Sequence, residues 1–173
     1  MARLLPVALL LLVAAVCAAQ SNQAESLLAQ KAAITNWAAF SFAAGLVGWD
    51  DRTPVCNWTG VECNAAGDVS SLNMSCTPDQ PRFCAMRAQG QLVPDLCQLS
   101  SITSIKFANH SLSGPLPAEW GGPDACQSLS FLYLNDNKLS GTIPASFGAR
   151  GSMPNLPVAS LGTNSFNGRC PTP

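Results

Sequence analysis

The sequence predicts an α/β solenoid, a short right-handed coil of stacked turns with parallel strands and a helical segment in front of them. Three observations predict it. Apolar residues, glycine and proline recur in one frame through the second half, with Pro117, Pro144 and Pro171 spaced 27 residues apart. Each copy holds an alternating apolar pair such as Leu132-Tyr133-Leu134, the pattern of a short strand that buries every second side chain. Before the repeats lies a stretch of helical periodicity followed by tryptophans.

The chain of 173 residues is 47% hydrophobic and only 11% charged, with a formal net charge of −1. That balance supplies no basic field for a nucleic-acid backbone or an anionic membrane, so no nucleic-acid partner is expected. Residues 1–19 combine Arg3, an apolar run from Leu4 and the small residues Ala18 and Ala19, which reads as a cleaved secretory signal peptide. No second long apolar stretch follows, so no transmembrane segment is expected in the mature chain. The expected location is secreted: extracellular space or cell wall.

From Asn22 to about Phe42 the pattern is helical. Asn22 and Glu25 form a capping box, and Leu27, Leu28, Ile34 and Trp37 fall near one face. Gly45 and Gly48 end the helical region. The repeat frame is clearest in Leu129, Leu132, Leu134, Asn137, Leu139, Gly141, Ile143 and Pro144. It returns 27 residues earlier as Ile102, Ile105, Phe107, Leu112, Gly114, Leu116 and Pro117, and 27 later as Leu156, Ala159, Leu161, Asn164, Phe166, Gly168 and Pro171. A weaker first copy has Val69, Leu72 and Met74, then Gly90, Leu92 and Pro94, split by an insertion at 75–89 that carries Cys76 and Cys84. The asparagines at 137 and 164 are suited to bond backbone groups where the chain leaves the strand. One such turn buries too few side chains to offset the ordering of its backbone; stacked turns cover each other's open faces.

The repeats resemble the plant-type leucine-rich repeat, whose frame LxxLxxLxLxxNxLxGxIP is matched by 129–144. The segment 25–64 resembles the N-terminal cap of that family, through Leu27-Leu28, Trp49 and the run Cys56-Asn57-Trp58-Thr59-Gly60-Val61-Glu62-Cys63. The resemblance implies residues 20–66 as a disulfide-bonded cap and 67–171 as about four repeats, with Cys56 and Cys63 bridged. Cys76–Cys84 is then expected to staple the insertion, and Cys97–Cys126 to join neighbouring coils. Cys170 is left over, as a buried thiol or as an intermolecular bridge in a homodimer. His110 stands where the frame has asparagine, and the copies run 27 residues where the family usually has 24.

Members of the family include receptor ectodomains, receptor-like proteins and inhibitors of wall-degrading enzymes. The resemblance therefore implies a secreted binding module for an extracellular protein or peptide, receptor-like or inhibitor-like, with a cell-wall polysaccharide or cell-wall enzyme as further partners. The alternative is a self-assembling structural component of wall or matrix. No catalysis is expected: His110 is the single histidine, and Asp50 and Asp51 are adjacent loop carboxylates rather than a facing pair. No cofactor and no metal site are expected, since no cysteine spacing is C-x2-C.

Binding is expected on strand side chains that point away from the core: Thr103, Ser104, Lys106 and Asn109 in one copy, Phe131, Tyr133 and Asp136 in the next. Phe131 and Tyr133 are the expected anchors. Asn57, Asn73 and Asn109 open the triplets Asn-Trp-Thr, Asn-Met-Ser and Asn-His-Ser, each an acceptor for N-glycosylation.

Overall fold

The computed structural model describes residues 22–123, 125–144, 147 and 156–168. The expected signal peptide at 1–19 and Cys170 lie outside the described residues.

Helix α1 covers 22–33, and α2 follows as Trp37–Ala44. The helical periodicity that runs on to Phe42 is interrupted at Ile34, which forms an antiparallel bridge with Gly90. Thr35 N–H donates to Gln89 O and Gln91 N–H to Ala33 O. The Asn36 amide clamps the same strand, accepting from Gln89 N–H at 2.8 Å and donating to Arg87 O at 2.9 Å. The break thus covers the first edge of a β-sheet, whose backbone groups would otherwise be unpaired. Gly90 fits here because a Cβ would run into Ala33 O and the Ile34 Cα. Gly45, at φ +62°, then caps α2 in the left-handed region.

Beyond the helices the chain coils between two sheets. The first is ordered β1 (Val61–Cys63), β2 (Val69–Asn73), β4 (Ser104–Lys106), β6 (Phe131–Tyr133), β8 (Val158–Ser160). Its β1 is antiparallel to β2, and the others run parallel, with Leu72, Ile105, Leu132 and Ala159 in one row. The 27-residue frame is therefore the strand register itself. A second parallel sheet lies on the return side of each coil: β3 (Gln89–Gly90), β5 (Ser111–Gly114), β7 (Lys138–Gly141) and β9 (Ser165–Phe166). Short 3-10 turns, among them η2 (Pro81–Cys84), η3 (Pro94–Gln98) and η4 (Ala118–Gly121), complete the coils. The result is the expected α/β solenoid with parallel strands.

Side chains that alternate inward fill the coil. Leu72, Ile105 and Leu132 are buried in one row, Met74, Phe107 and Leu134 in the next, and Leu112 and Leu139 behind the second sheet. In the last described coil Leu156, Leu161 and Phe166 pack only partly against this core, since among the described residues no further coil covers them. At the other end the cap closes the core with rings: Trp37 lies 5.0 Å from Trp49, and Trp49 5.0 Å from Trp58. Both buried indoles find acceptors, Trp49 Nε1 on Thr59 O and Trp58 Nε1 on Thr53 O, each at 2.9 Å. Disulfides join Cys56 to Cys63 in the cap, Cys76 to Cys84 across the insertion, and Cys97 to Cys126 between η3 and the loop after η4.

Candidate functional site

Strands β2, β4, β6 and β8 turn two rows of side chains away from the core. One row is Ser71, Ser104, Phe131 and Val158; the other is Asn73, Lys106, Tyr133 and Ser160. Three of the expected binding residues, Lys106, Phe131 and Tyr133, thus come together on adjacent strands. Phe131, on β6 between β4 and the last strand of the sheet, is 41% exposed, a large apolar side chain held in solvent by a rigid strand. The Lys106 ammonium sits 5.4 Å from the centre of the Tyr133 ring, an arrangement that orders both side chains.

The other candidates are placed differently. Ser104 is only 6% exposed, and its hydroxyl is buried without a hydrogen-bond partner. The neighbours in its row are Ser71 and Phe131. Thr103 lies just before β4, exposed, with its hydroxyl donating to Ser70 O at 2.8 Å. Asp136 lies beyond the strand in a turn at φ +58°, where its carboxylate accepts from the Asn135 amide at 2.6 Å. Asn57 is exposed on the cap.

Next to the Lys106–Tyr133 pair is a pocket of about 390 Å³, lined by Asn73, Ser75, Lys106, Asn109, Tyr133 and Asn135 from the coils and by Thr77 and Asp79 from the insertion. Sequence reasoning did not anticipate this wall. The two cysteines bracketing the insertion were the available signal, because a stapled loop must pack somewhere. The Asp79 carboxyl is held below the usual carboxylate range by a hydrogen bond from the Thr77 side chain, by its own backbone N–H and by the Lys106 ammonium.

Behind the face, one position of each coil ties it to the coil before. Asn137 Nδ2 donates to Phe107 O at 2.7 Å and to Leu134 O at 3.0 Å, while its Oδ1 accepts from Leu112 N–H at 3.0 Å. Asn164 repeats this with Leu134 O, Leu161 O and Leu139 N–H, at 2.9 Å each. His110 occupies the equivalent place and makes the two bonds to the coil before, without the one to its own coil: Nε2 meets Met74 O at 2.6 Å and Nδ1 accepts from Ala88 N–H at 3.2 Å. The pair fixes the neutral tautomer with hydrogen on Nε2. Burial pushes the His110 pKa below its ordinary value, against the Met74 bond and with a smaller contribution from Arg87. This is a structural histidine bonded within a turn. Among the described residues no group of three His, Cys, Asp or Glu side chains could hold a metal ion, and no helix is long and apolar enough to cross a membrane.

Residues 20–64 match the family described as Leucine rich repeat N-terminal domain. The chain is 33% identical over 106 residues to the LRR receptor-like serine/threonine-protein kinase RGI3 of Arabidopsis thaliana, a match covering 61% of this chain and 8% of that protein. Among solved structures it is similar to PEPR1 in complex with AtPEP1, at 25% identity and TM-score 0.67 over 86% of this chain and 19% of that one. It is also similar to the plant peptide hormone receptor RGFR1 in complex with RGF2, at 34% identity and TM-score 0.50 over 64% of this chain and 14% of that one. The chain thus spans less than a fifth of the length of each of these relatives, and the matched part is the leucine-rich-repeat part.

Proposed function

Since the chain is a plant-type leucine-rich-repeat protein with an N-terminal cap, we propose that it is a secreted extracellular recognition module that takes a protein or peptide on the outward face of its first sheet. The observation that carries this reading is Phe131, an aromatic ring exposed on a strand paired on both sides, beside the ordered Lys106–Tyr133 pair. Rigid aromatic anchors of this kind concentrate binding energy, because little side-chain freedom is lost when they are covered. One of the similar structures is a plant peptide hormone receptor in complex with RGF2, which favours a peptide or an extended segment of a protein as occupant. Residues 1–19 then act as the signal that sends the chain out of the cell, and Asn57, exposed on the cap, carries a glycan.

The test is capture. Immobilised secreted protein and its Phe131→Ala/Tyr133→Ala double variant are exposed to extracellular fluid, and retained proteins are identified by mass spectrometry. The strongest ligand of the wild type is then titrated against both. Loss of two anchors is expected to weaken binding by roughly 30-fold or more with thermal stability unchanged. Equal affinity for both proteins removes the reading.

Self-association is a second reading, favoured by one observation. The inward residues Leu156, Leu161 and Phe166 of the last described coil are only partly buried. A second copy laid against that coil would cover them. Sedimentation at micromolar concentration decides: a monomer over that range excludes this reading.

A further inference from the structure

We propose that the pocket between the insertion and the outward face of the four coils is a subsite for an uncharged saccharide. Its composition points there. Apart from the Tyr133 ring, its lining is polar or small: three carboxamides, one carboxylate, one ammonium and the hydroxyls of Ser75, Thr77 and Ser160, with Ala108 as its one aliphatic side chain. The functional groups that line it are nearly all hydrogen-bonding, so selectivity must come from hydrogen bonds.

The carboxamides are already anchored at one end. Asn109 Nδ2 donates to Cys76 O at 3.1 Å, which leaves its Oδ1 to accept. Asn135 Nδ2 donates to the Asp136 carboxylate, which leaves Oδ1 likewise. Asn73 Oδ1 accepts from Ser75 N–H at 3.1 Å, which leaves Nδ2 to donate. Each fixed amide offers its free end without further loss of side-chain freedom. Planar amides and a carboxylate suit vicinal hydroxyls, which donate and accept from adjacent carbons.

Charge argues against an ionic ligand. Asp79 and Lys106 have opposite signs and attract across the pocket without closing to an ion pair. An anion drawn to Lys106 meets Asp79, and a cation meets the reverse. A neutral polyol uses both groups, accepting from one and donating to the other. The subsite requires the Asn73 and Asn109 amides to be unmodified, although both open acceptor triplets.

The experiment is titration calorimetry of the secreted full chain with three neutral probes, hexamers of β-1,4-linked glucose, β-1,3-linked glucose and β-1,4-linked mannose, and one anionic probe, a galacturonate hexamer. At least one neutral hexamer is expected to bind the wild type. Its affinity is expected to fall tenfold or more in Asp79→Ala and in Asn135→Ala, with thermal unfolding of both variants unchanged. No binding of any neutral hexamer at millimolar concentration overturns the proposal. So does tighter binding of the galacturonate hexamer, or a glycan found on Asn73 or Asn109 by peptide mass mapping. The outcome is separable from the protein-recognition test, because Asp79 and Asn135, replaced here, are neither of the two anchors replaced there.

Discussion

Replacing His110 tests how the coils are joined. The imidazole is 1% exposed and serves two backbone groups of the preceding coil, the Met74 carbonyl and the Ala88 amide. His110→Leu keeps the volume and removes both partners. A buried backbone group left unpaired costs about 1–3 kcal/mol, so two such groups predict a loss of roughly 2–6 kcal/mol. His110→Asn installs the side chain used at 137 and 164 and is expected to lose less than His110→Leu. The second signature is pH dependence. The folded protein holds His110 neutral below the ordinary value of 6.5, whereas the unfolded chain titrates near that value. Above pH 6.5 neither state takes up the proton and stability is flat. As pH falls below 6.5 the unfolded chain is protonated first, and stability drops by about 1.4 kcal/mol per pH unit until the folded imidazole itself takes the proton. Urea unfolding of wild type and His110→Asn between pH 7.5 and 5.0 reads this directly, because carboxylate effects are common to both. Parallel stability curves for the two proteins would refute the reasoning.

Two further predictions concern stability. Ser104→Ala removes a buried hydroxyl that has no partner and is expected to raise stability by about 1 kcal/mol, read as a shift of the urea midpoint; a fall in the midpoint would mean that the hydroxyl is satisfied after all. Gly90→Ala forces a Cβ into the Ala33 carbonyl and a side chain into φ +139°, and is expected to cost about 2–3 kcal/mol, with the loss of helical circular dichroism and of the strand core occurring together.

The strand frame was legible because each inward residue of the first sheet has a partner 27 positions away, as Ile105, Leu132 and Ala159 have. The second sheet was not. Its strands are built from Ser111–Gly114 and Lys138–Gly141, where serine and a left-handed glycine read as turn chemistry rather than as strand. Only stacking against a neighbouring coil makes those segments extended. The break at Ile34 was hidden for a related reason: its apolar spacing is helical, and the partner that claims its backbone, Gly90, lies far along the chain. Within the candidate site, alternation placed Lys106, Phe131 and Tyr133 outward as they are found. It also placed Ser104 outward, and the serine is instead buried between Ser71 and Phe131 of the adjacent strands, which no local pattern reports. The wall formed by Thr77 and Asp79 comes from an insertion outside the repeat frame, so periodicity carried no information about it.

The bonds made by His110, Asn137 and Asn164 all point the same way, from one coil back to its predecessor. Construction is therefore vectorial: a coil is finished by a side chain belonging to its successor, and Phe107 O and Leu112 N–H wait for an amide that arrives 25 to 30 residues later. At the trailing side of the described residues Leu156, Leu161 and Phe166 are left only partly covered. At the leading side one dedicated piece of chain closes both the sheet margin at Gly90 and the oily cross-section.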